Sequence, residues 1–182
     1  MAGRMVRVLP PIQGKPHLST SQQIWAYPPP LGWRAVRILP KGGAKVNSPS
    51  LSTPTGAPQR PVSTQVAQYL GATGGVANPN ALYLIQGGAN DIFQNLQIYG
   101  SDPATLQALT YQSGIDFATQ VATLAQSGAK YIVVQNVPNI GVAPAFVNTP
   151  YATAATGLSK AYNDVVAGAL TQMGVSVVMI DD

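Results

Sequence analysis

The order of hydrophobic and polar positions predicts an α/β fold from about residue 62 onward. Short apolar runs typical of buried strands alternate with longer stretches in which apolar residues recur at the helical period. The elements, in order, are a helix over 62–70, a strand over 81–86, a helix opened by Asn90-Asp91, a helix from Pro103 to about 127, a strand over 131–136, a helix over about 153–173 and a strand over 175–180. Strands and helices linked in this way predict parallel pairing, right-handed crossovers and helices on both faces of the sheet. The long helix carries one predicted weak point, Ser113-Gly114.

The first 41 residues have a different character. They show no helical or strand period, because prolines interrupt every candidate element, and eleven of the sixteen prolines lie at or before Pro61. Residues 1–60 hold eight basic and no acidic residues, whereas residues 61–182 hold two basic and six acidic ones. We therefore divide the chain into an irregular segment, 1–41, which we expect to be disordered, and an α/β domain, 42–182.

Composition excludes several classes of function. A length of 182 residues fits one domain, and no apolar run is long enough to cross a bilayer. The absence of cysteine excludes a disulfide framework, a thiolate metal site and a cysteine nucleophile. Neither a dinucleotide fingerprint nor a phosphate loop occurs, and the six aspartates lack metal-ligand spacing, so we expect no cofactor and no metal. Arg4 and Arg7 are not followed by an apolar stretch, so no signal peptide is visible.

The strand over 81–86 runs into Gly87-Gly88, and Asn90-Asp91 then opens a helix. In open α/β sheets, ligands bind at the carboxyl ends of strands, which makes this junction the main candidate site. Gly88-Ala89-Asn90-Asp91 closely resembles the "Gly-Xaa-Asn-Asp" block of the SGNH/GDSL ester hydrolases. Gly42-Gly43-Ala44 resembles the end of that family's second block, and the loop over 136–141 resembles its bacterial GDSL lipases and autotransporter esterases. The resemblance covers residues 42–182.

The resemblance implies a fold, an activity and two site residues. The fold would be a three-layer α/β/α parallel sheet of the flavodoxin-like type, and the activity hydrolysis of a small-molecule or lipid ester at the cell surface or outside the cell. The backbone N–H of Gly43 and the side-chain amide of Asn90 would donate to the oxyanion that forms during ester attack. Asp91 is predicted to cap the helix that follows.

The chain also departs from the family pattern. No Gly-Asp-Ser triplet and no Asp-Xaa-Xaa-His block occur, and the single histidine is His17, in the irregular segment. Without serine and histidine no attacking oxygen is activated, so we expect no measurable esterase activity. We also expect a truncated sheet with one uncovered face, which favours aggregation. Two alternatives remain: a non-catalytic remnant of a disrupted esterase gene, and a basic-tailed nucleic-acid binder. The early cations lack interleaved aromatic residues on a regular element, so we expect no nucleic-acid partner.

Residues 38–41 suggest an origin for the irregular segment. The family places "Asn-Xaa-Ala-Xaa" directly before its Gly-Gly-Ala, but this chain has Ile38-Leu39-Pro40-Lys41 there. Codons for these four residues, read one base earlier, can spell Asn-Pro-Ala-Gln. We therefore hypothesise that residues 1–41 are translated in a shifted frame that joins the hydrolase frame near Lys41.

Overall fold

The computed structural model describes residues 43–48 and 59–181; the predicted irregular segment, 1–41, lies outside them. Within these ranges, three strands form one parallel sheet in the order β1 (Leu82–Gln86), β2 (Tyr131–Gln135) and β3 (Val178–Ile180). Leu82 pairs with Tyr131, and Val133 pairs with Val178. The predicted α/β class with a parallel sheet is confirmed, although β3 is shorter than the predicted 175–180.

Among the residues that the structure describes, four helices flank the sheet, in the predicted order. They are α1 (Val62–Ala72), α2 (Ala89–Tyr99), α3 (Pro103–Gln126) and α4 (Ala152–Gln172), with a short 3-10 helix at Ile140–Val142 after β2. The start of α3 follows from its sequence, because Pro103 suits the first helical position and the Asp102 carboxylate accepts from the backbone N–H of Thr105 at 3.1 Å. Beyond its end, Gly128 adopts a φ of 110°, a conformation that favours glycine.

The core lies between the helices and one face of the sheet. Tyr83 and Ile85 of β1 and Ile132 and Val134 of β2 alternate with exposed or half-buried neighbours, as strands with one buried face do. The helical residues in the same apolar cluster come mainly from α3 and α4, and they include Phe117, Val121, Leu124, Tyr162 and Val166. The two long helices therefore hold the sheet from this side.

The opposite face of the sheet is apolar and exposed. Leu82 is 46% exposed, Leu84 53%, Tyr131 48%, Val178 60% and Ile180 39%. Parallel sheets usually bury both faces, and the sequence predicts helices on both, but the part of the chain that the structure describes covers only one. We call these five residues the exposed sheet face.

Helix α3 is continuous through Ser113 and Gly114, the predicted weak point. Gly114 is buried against α4, and a Cβ built on it would lie 2.7 Å from Cγ1 of Val165. The missing side chain thus allows α3 and α4 to approach closely, and the packing outweighs the low helix propensity of glycine.

Candidate functional site

The candidate site lies at the carboxyl end of β1, where the two glycines turn the chain into α2. Gly88 has a φ of 103°, and a Cβ built on it would lie 2.1 Å from Cζ of Tyr162. A Cβ on Gly87 would come within 2.9 Å of Cδ2 of Phe117. Both positions therefore require glycine, and the turn fixes the direction in which the first side chains of α2 point.

Asn90 contacts the segment that contains Gly43. Its side-chain nitrogen Nδ2 donates to the carbonyl oxygen of Ala44 at 2.9 Å. Gly43, directly before Ala44, is half-buried and has a φ of 87°. An asparagine amide carries two protons, so one N–H of Asn90 is left to donate to another acceptor. The structure thus places the Asn90 side chain in contact with the residue that follows Gly43, although the two lie far apart in the sequence.

Asp91 holds the same segment from its other end. The sequence predicts that Asp91 caps α2; the N-cap position is Gly88, and Asp91 lies in the first turn, where its carboxylate interacts with its own backbone N–H. The carboxylate also accepts from the backbone N–H of Val46 at 3.0 Å and from Oγ of Ser113 at 3.3 Å. Because Asp91 is only 4% exposed, loss of solvation raises the pKa of its carboxyl group above the usual value, against the opposing effects of these hydrogen bonds and of Lys45.

Two further hydrogen bonds attach this segment to α1. The N–H groups of Val62 and Ser63 donate to the carbonyl oxygens of Lys45 and Val46, each at 3.0 Å. These are free donors of the first turn of α1, which otherwise lacks a side-chain cap. We call residues 43–46 the anchored segment, since side chains of α2 and backbone groups of α1 both bind it.

A second arrangement of polar residues occurs beside β2 and β3. Asn163 of α4 exchanges two hydrogen bonds with the backbone of Val137, each 2.9 Å long, and Oγ of Ser159 accepts from the N–H of Ile140 at 3.1 Å. Asn136, which follows β2, donates to the carboxylate of Asp181, which follows β3. A cleft of about 460 Å³ lies between this loop, α4 and Asp181.

The cleft residues and Tyr162 are absent from the sequence-based site. Tyr162 is 1% exposed, and its hydroxyl has no hydrogen-bond partner among the described residues. Burial and the negative charges of Asp91 and Asp116 raise its pKa well above the usual value. Helical periodicity identifies Tyr162 as an inward residue of α4, but it carries no signal that the ring lies against Gly88.

The described residues contain no group of three or more histidine, cysteine, aspartate or glutamate side chains that could hold a metal ion. In residues 43–48 and 59–181, no helix is both long and apolar enough to cross a membrane. His17 lies outside these residues, so its surroundings are not described.

The chain matches no protein-family model. It is 34% identical over 128 residues to a Pseudomonas putida protein named "Uncharacterized protein in trpE-trpG intergenic region", an alignment that covers 68% of this chain and 20% of that protein. It is 36% identical over 105 residues to esterase EstA of Pseudomonas aeruginosa, and equally to esterase EstA of Pseudomonas putida. More than half of the chain is similar to an esterase. These two alignments cover 58% of the chain but only 15% of each esterase, so the chain spans a fifth or less of the length of these relatives.

Proposed function

We propose that residues 42–182 form part of an ester-hydrolase domain of the SGNH/GDSL type and that the site at the end of β1 is its oxyanion-binding half. The observation that supports the proposal is the 2.9 Å hydrogen bond from the Asn90 amide to the carbonyl oxygen of Ala44, the residue directly after Gly43. The partial similarity to esterase EstA supports the same reaction class.

The proposed chemistry uses two neutral donors. Negative charge develops on the carbonyl oxygen of an ester when a nucleophile attacks, and donors already fixed in position stabilise that charge without rearranging. The N–H of Gly43 and the second N–H of Asn90 would serve as these donors. The proposed substrate is a small-molecule or lipid ester, and the proposed location is the cell surface or the exterior of the cell.

We further propose that this 182-residue chain does not itself turn over esters. Its sequence lacks the Gly-Asp-Ser and Asp-Xaa-Xaa-His blocks, so neither a nucleophile nor a base can be assigned. The chain would bind a tetrahedral anion that is supplied to it, but it would not generate such an anion from an ester. A remnant of a disrupted esterase gene would show the same behaviour.

An NMR titration tests the oxyanion assignment without requiring turnover. The ¹⁵N-labelled chain is titrated with a methylphosphonate monoester, a tetrahedral anion that resembles the adduct. We expect saturable shifts of the Gly43 N–H and of the Asn90 side-chain amide together. Loss of one hydrogen bond to a charged group is worth about 10- to 100-fold in affinity, so Asn90→Ala should weaken binding by that factor.

Gln97→Ala is the matched control, since Gln97 is an exposed amide on the same helix, α2. Equal affinity in wild type and Asn90→Ala would refute the proposed donor role. The proposed lack of esterase activity is measured separately. The purified chain should hydrolyse p-nitrophenyl butyrate no faster than buffer does. A protein-dependent rate would disprove the lack of activity but not the oxyanion assignment.

A further inference from the structure

A strip of apolar side chains begins one turn beyond Asn90 on α2. Asn90 and Phe93 are three positions apart and therefore lie on the same side of the helix. The ring of Phe93 contacts that of Phe146, in the loop after β2, edge to face with the ring centroids 4.7 Å apart. Phe93 remains half-buried, whereas Phe146 is buried by this contact and its other neighbours. An apolar surface thus adjoins the proposed oxyanion donor.

The loop after β2 continues along α2 to the far end of the helix. A Cβ built on Gly100 would lie 2.8 Å from Cε1 of Tyr151, so that ring lies against the end of α2. Val147, which follows Phe146, is 46% exposed, and Tyr151 is 42% exposed. Along the helix axis, Asn90 and Gly100 are about 15 Å apart. We call the apolar side chains beside this length of helix the apolar strip: Phe93, Phe146, Val147 and Tyr151.

Hydrogen bonds within the loop hold the apolar strip in shape. The N–H of Phe146 donates to the carbonyl oxygen of Ala143 at 2.8 Å, and the N–H and Oγ1 of Thr149 both donate to the carbonyl oxygen of Phe146 at 2.9 Å. Oγ1 of Thr149 also accepts from the N–H of Tyr151 at 3.2 Å. A ligand that binds the strip therefore does not have to order the loop, which lowers the entropic cost of binding.

The absence of charge decides the class of ligand. Residues 92–101 and 136–151 contain no charged side chain. An ionic group bound here would lose hydration without gaining a partner of opposite charge from these two segments, whereas a hydrocarbon chain would remove exposed apolar surface from water. We propose that the apolar strip binds the acyl chain of an ester whose carbonyl oxygen lies at Asn90, so that the preferred acyl group is an uncharged aliphatic chain. This inference rests on the proposed function and names the acyl specificity of the same site.

A pair of probes that differ only in chain length tests the inference. The ¹⁵N-labelled 182-residue chain is titrated with a methylphosphonate monoester and with the hexylphosphonate monoester of the same alcohol. The hexyl compound should bind about 10- to 100-fold more tightly, because its added CH₂ groups leave water. It alone should shift the amides of residues 93 and 146–151. A hexyl chain that ends in a carboxylate should lose most of this gain.

Variants locate the bound chain. Phe93→Ala and Val147→Asn should each lower the ratio of hexyl to methyl affinity about threefold or more, because each removes apolar surface from the strip. Val147 is exposed, so its replacement leaves the packing of the core unchanged. Val76→Asn, at a valine 64% exposed before the amino end of β1, is the matched control and should keep the wild-type ratio.

The outcomes separate this inference from the oxyanion assignment. If the methyl probe binds and the hexyl probe binds no more tightly, the acyl inference fails and the oxyanion assignment stands. Shifts of the strip with the hexyl probe, but none at Asn90 with either probe, would refute the oxyanion assignment and retain the strip as a site for aliphatic chains. A hexyl probe that leaves the strip amides unmoved would overturn the inference. Strip amides that move with protein concentration alone would assign this surface to a second copy of the chain and would also overturn it.

Discussion

The side-chain amide of Asn90 donates to the carbonyl oxygen of Ala44 at 2.9 Å, a contact between residues 46 positions apart in the sequence. The next residue, Asp91, accepts from Val46 at 3.0 Å. The first turn of α2 thus binds the anchored segment at two points. The geometry of the proposed oxyanion site depends on these bonds, and the consequences of breaking them can be measured.

Replacing Asp91 should separate its hydrogen-bonding role from its charge. Asp91→Ala leaves the N–H of Val46 without its acceptor and should lower the free energy of unfolding by about 1–3 kcal/mol. Asp91→Asn keeps an acceptor oxygen and should lose much less. Asp164→Ala, at a carboxylate 63% exposed, is the control. Urea unfolding monitored by circular dichroism gives the comparison, and equal losses in the Ala and Asn variants would contradict this role.

The raised pKa of Asp91 predicts a pH dependence with a definite sign. The folded state binds the Asp91 proton more tightly than the unfolded state does, so stability from this group falls as pH rises from about 4 through the raised pKa. Asp102 acts in the opposite direction, because hydrogen bonds from Thr105 lower its pKa. Asp102 is present in both wild type and Asp91→Asn, so its contribution cancels when the unfolding free energies of the two proteins are subtracted. From pH 4 to pH 7, wild type should become steadily less stable relative to Asp91→Asn. A difference that does not change with pH would show that burial does not raise the pKa of Asp91.

Gly88 should tolerate no side chain. In Gly88→Ala the new Cβ would overlap the ring of Tyr162 at a positive φ, and we expect a loss of about 3 kcal/mol or more. Gly168 in α4 is the matched control, because a Cβ there meets no atom within 4 Å. Gly168→Ala should raise stability by about 0.5–1 kcal/mol through its better helix propensity. Thermal unfolding distinguishes the two, and a stable Gly88→Ala protein would mean that the turn after β1 is not held as described.

The exposed sheet face should promote self-association. Leu84 lies in the middle strand position of β1 and is 53% exposed, so Leu84→Lys places a charge within the apolar surface. We expect the variant to remain monomeric at concentrations where wild type associates, as measured by sedimentation velocity. Val142→Lys, at a residue 65% exposed in the 3-10 helix after β2, is the control and should associate as wild type does. Identical sedimentation of wild type and Leu84→Lys would exclude this face as the contact surface.

The proposed shift of reading frame can be read directly from DNA. We expect an alternative frame upstream of the Lys41 codon to encode a Gly-Asp-Ser triplet followed by an Asn-Xaa-Ala sequence that leads into Gly42. Sequencing the genomic region provides the measurement. An alternative frame without the triplet would disprove the hypothesis, and residues 1–41 would then need another explanation.

The sequence predicted the fold well because its signals are local. Apolar runs located β1 and β2, and the helical period located α1, α3 and α4 to within a few residues. β3 was harder, because only Val178–Ile180 of the apolar run pairs with β2. The hydrophobic pattern gives the length of an apolar run, whereas the length of a strand also depends on how many residues of the neighbouring strand can pair with it.

The site was predictable in part. A strand followed by two glycines and Asn90 identifies a position at the carboxyl end of a strand, and the structure places Asn90 beside the anchored segment. The partners of Asp91 were not predictable, because Val46 and Ser113 lie on other elements and carry no distinguishing signal. The role of Gly114 was missed for the same reason, since propensity describes one helix and the contact with Val165 belongs to two.

The anchored segment has a consequence for the order of folding. Its bonds end on α1 and α2, two helices that lie on either side of β1 in the sequence, so it can dock only after both have assembled. Docking should therefore be a late event, and its reversal an early one, with a smaller opening free energy than that of the central strands. Hydrogen exchange at the Val46 amide would report how much of the time the protein spends with this element open.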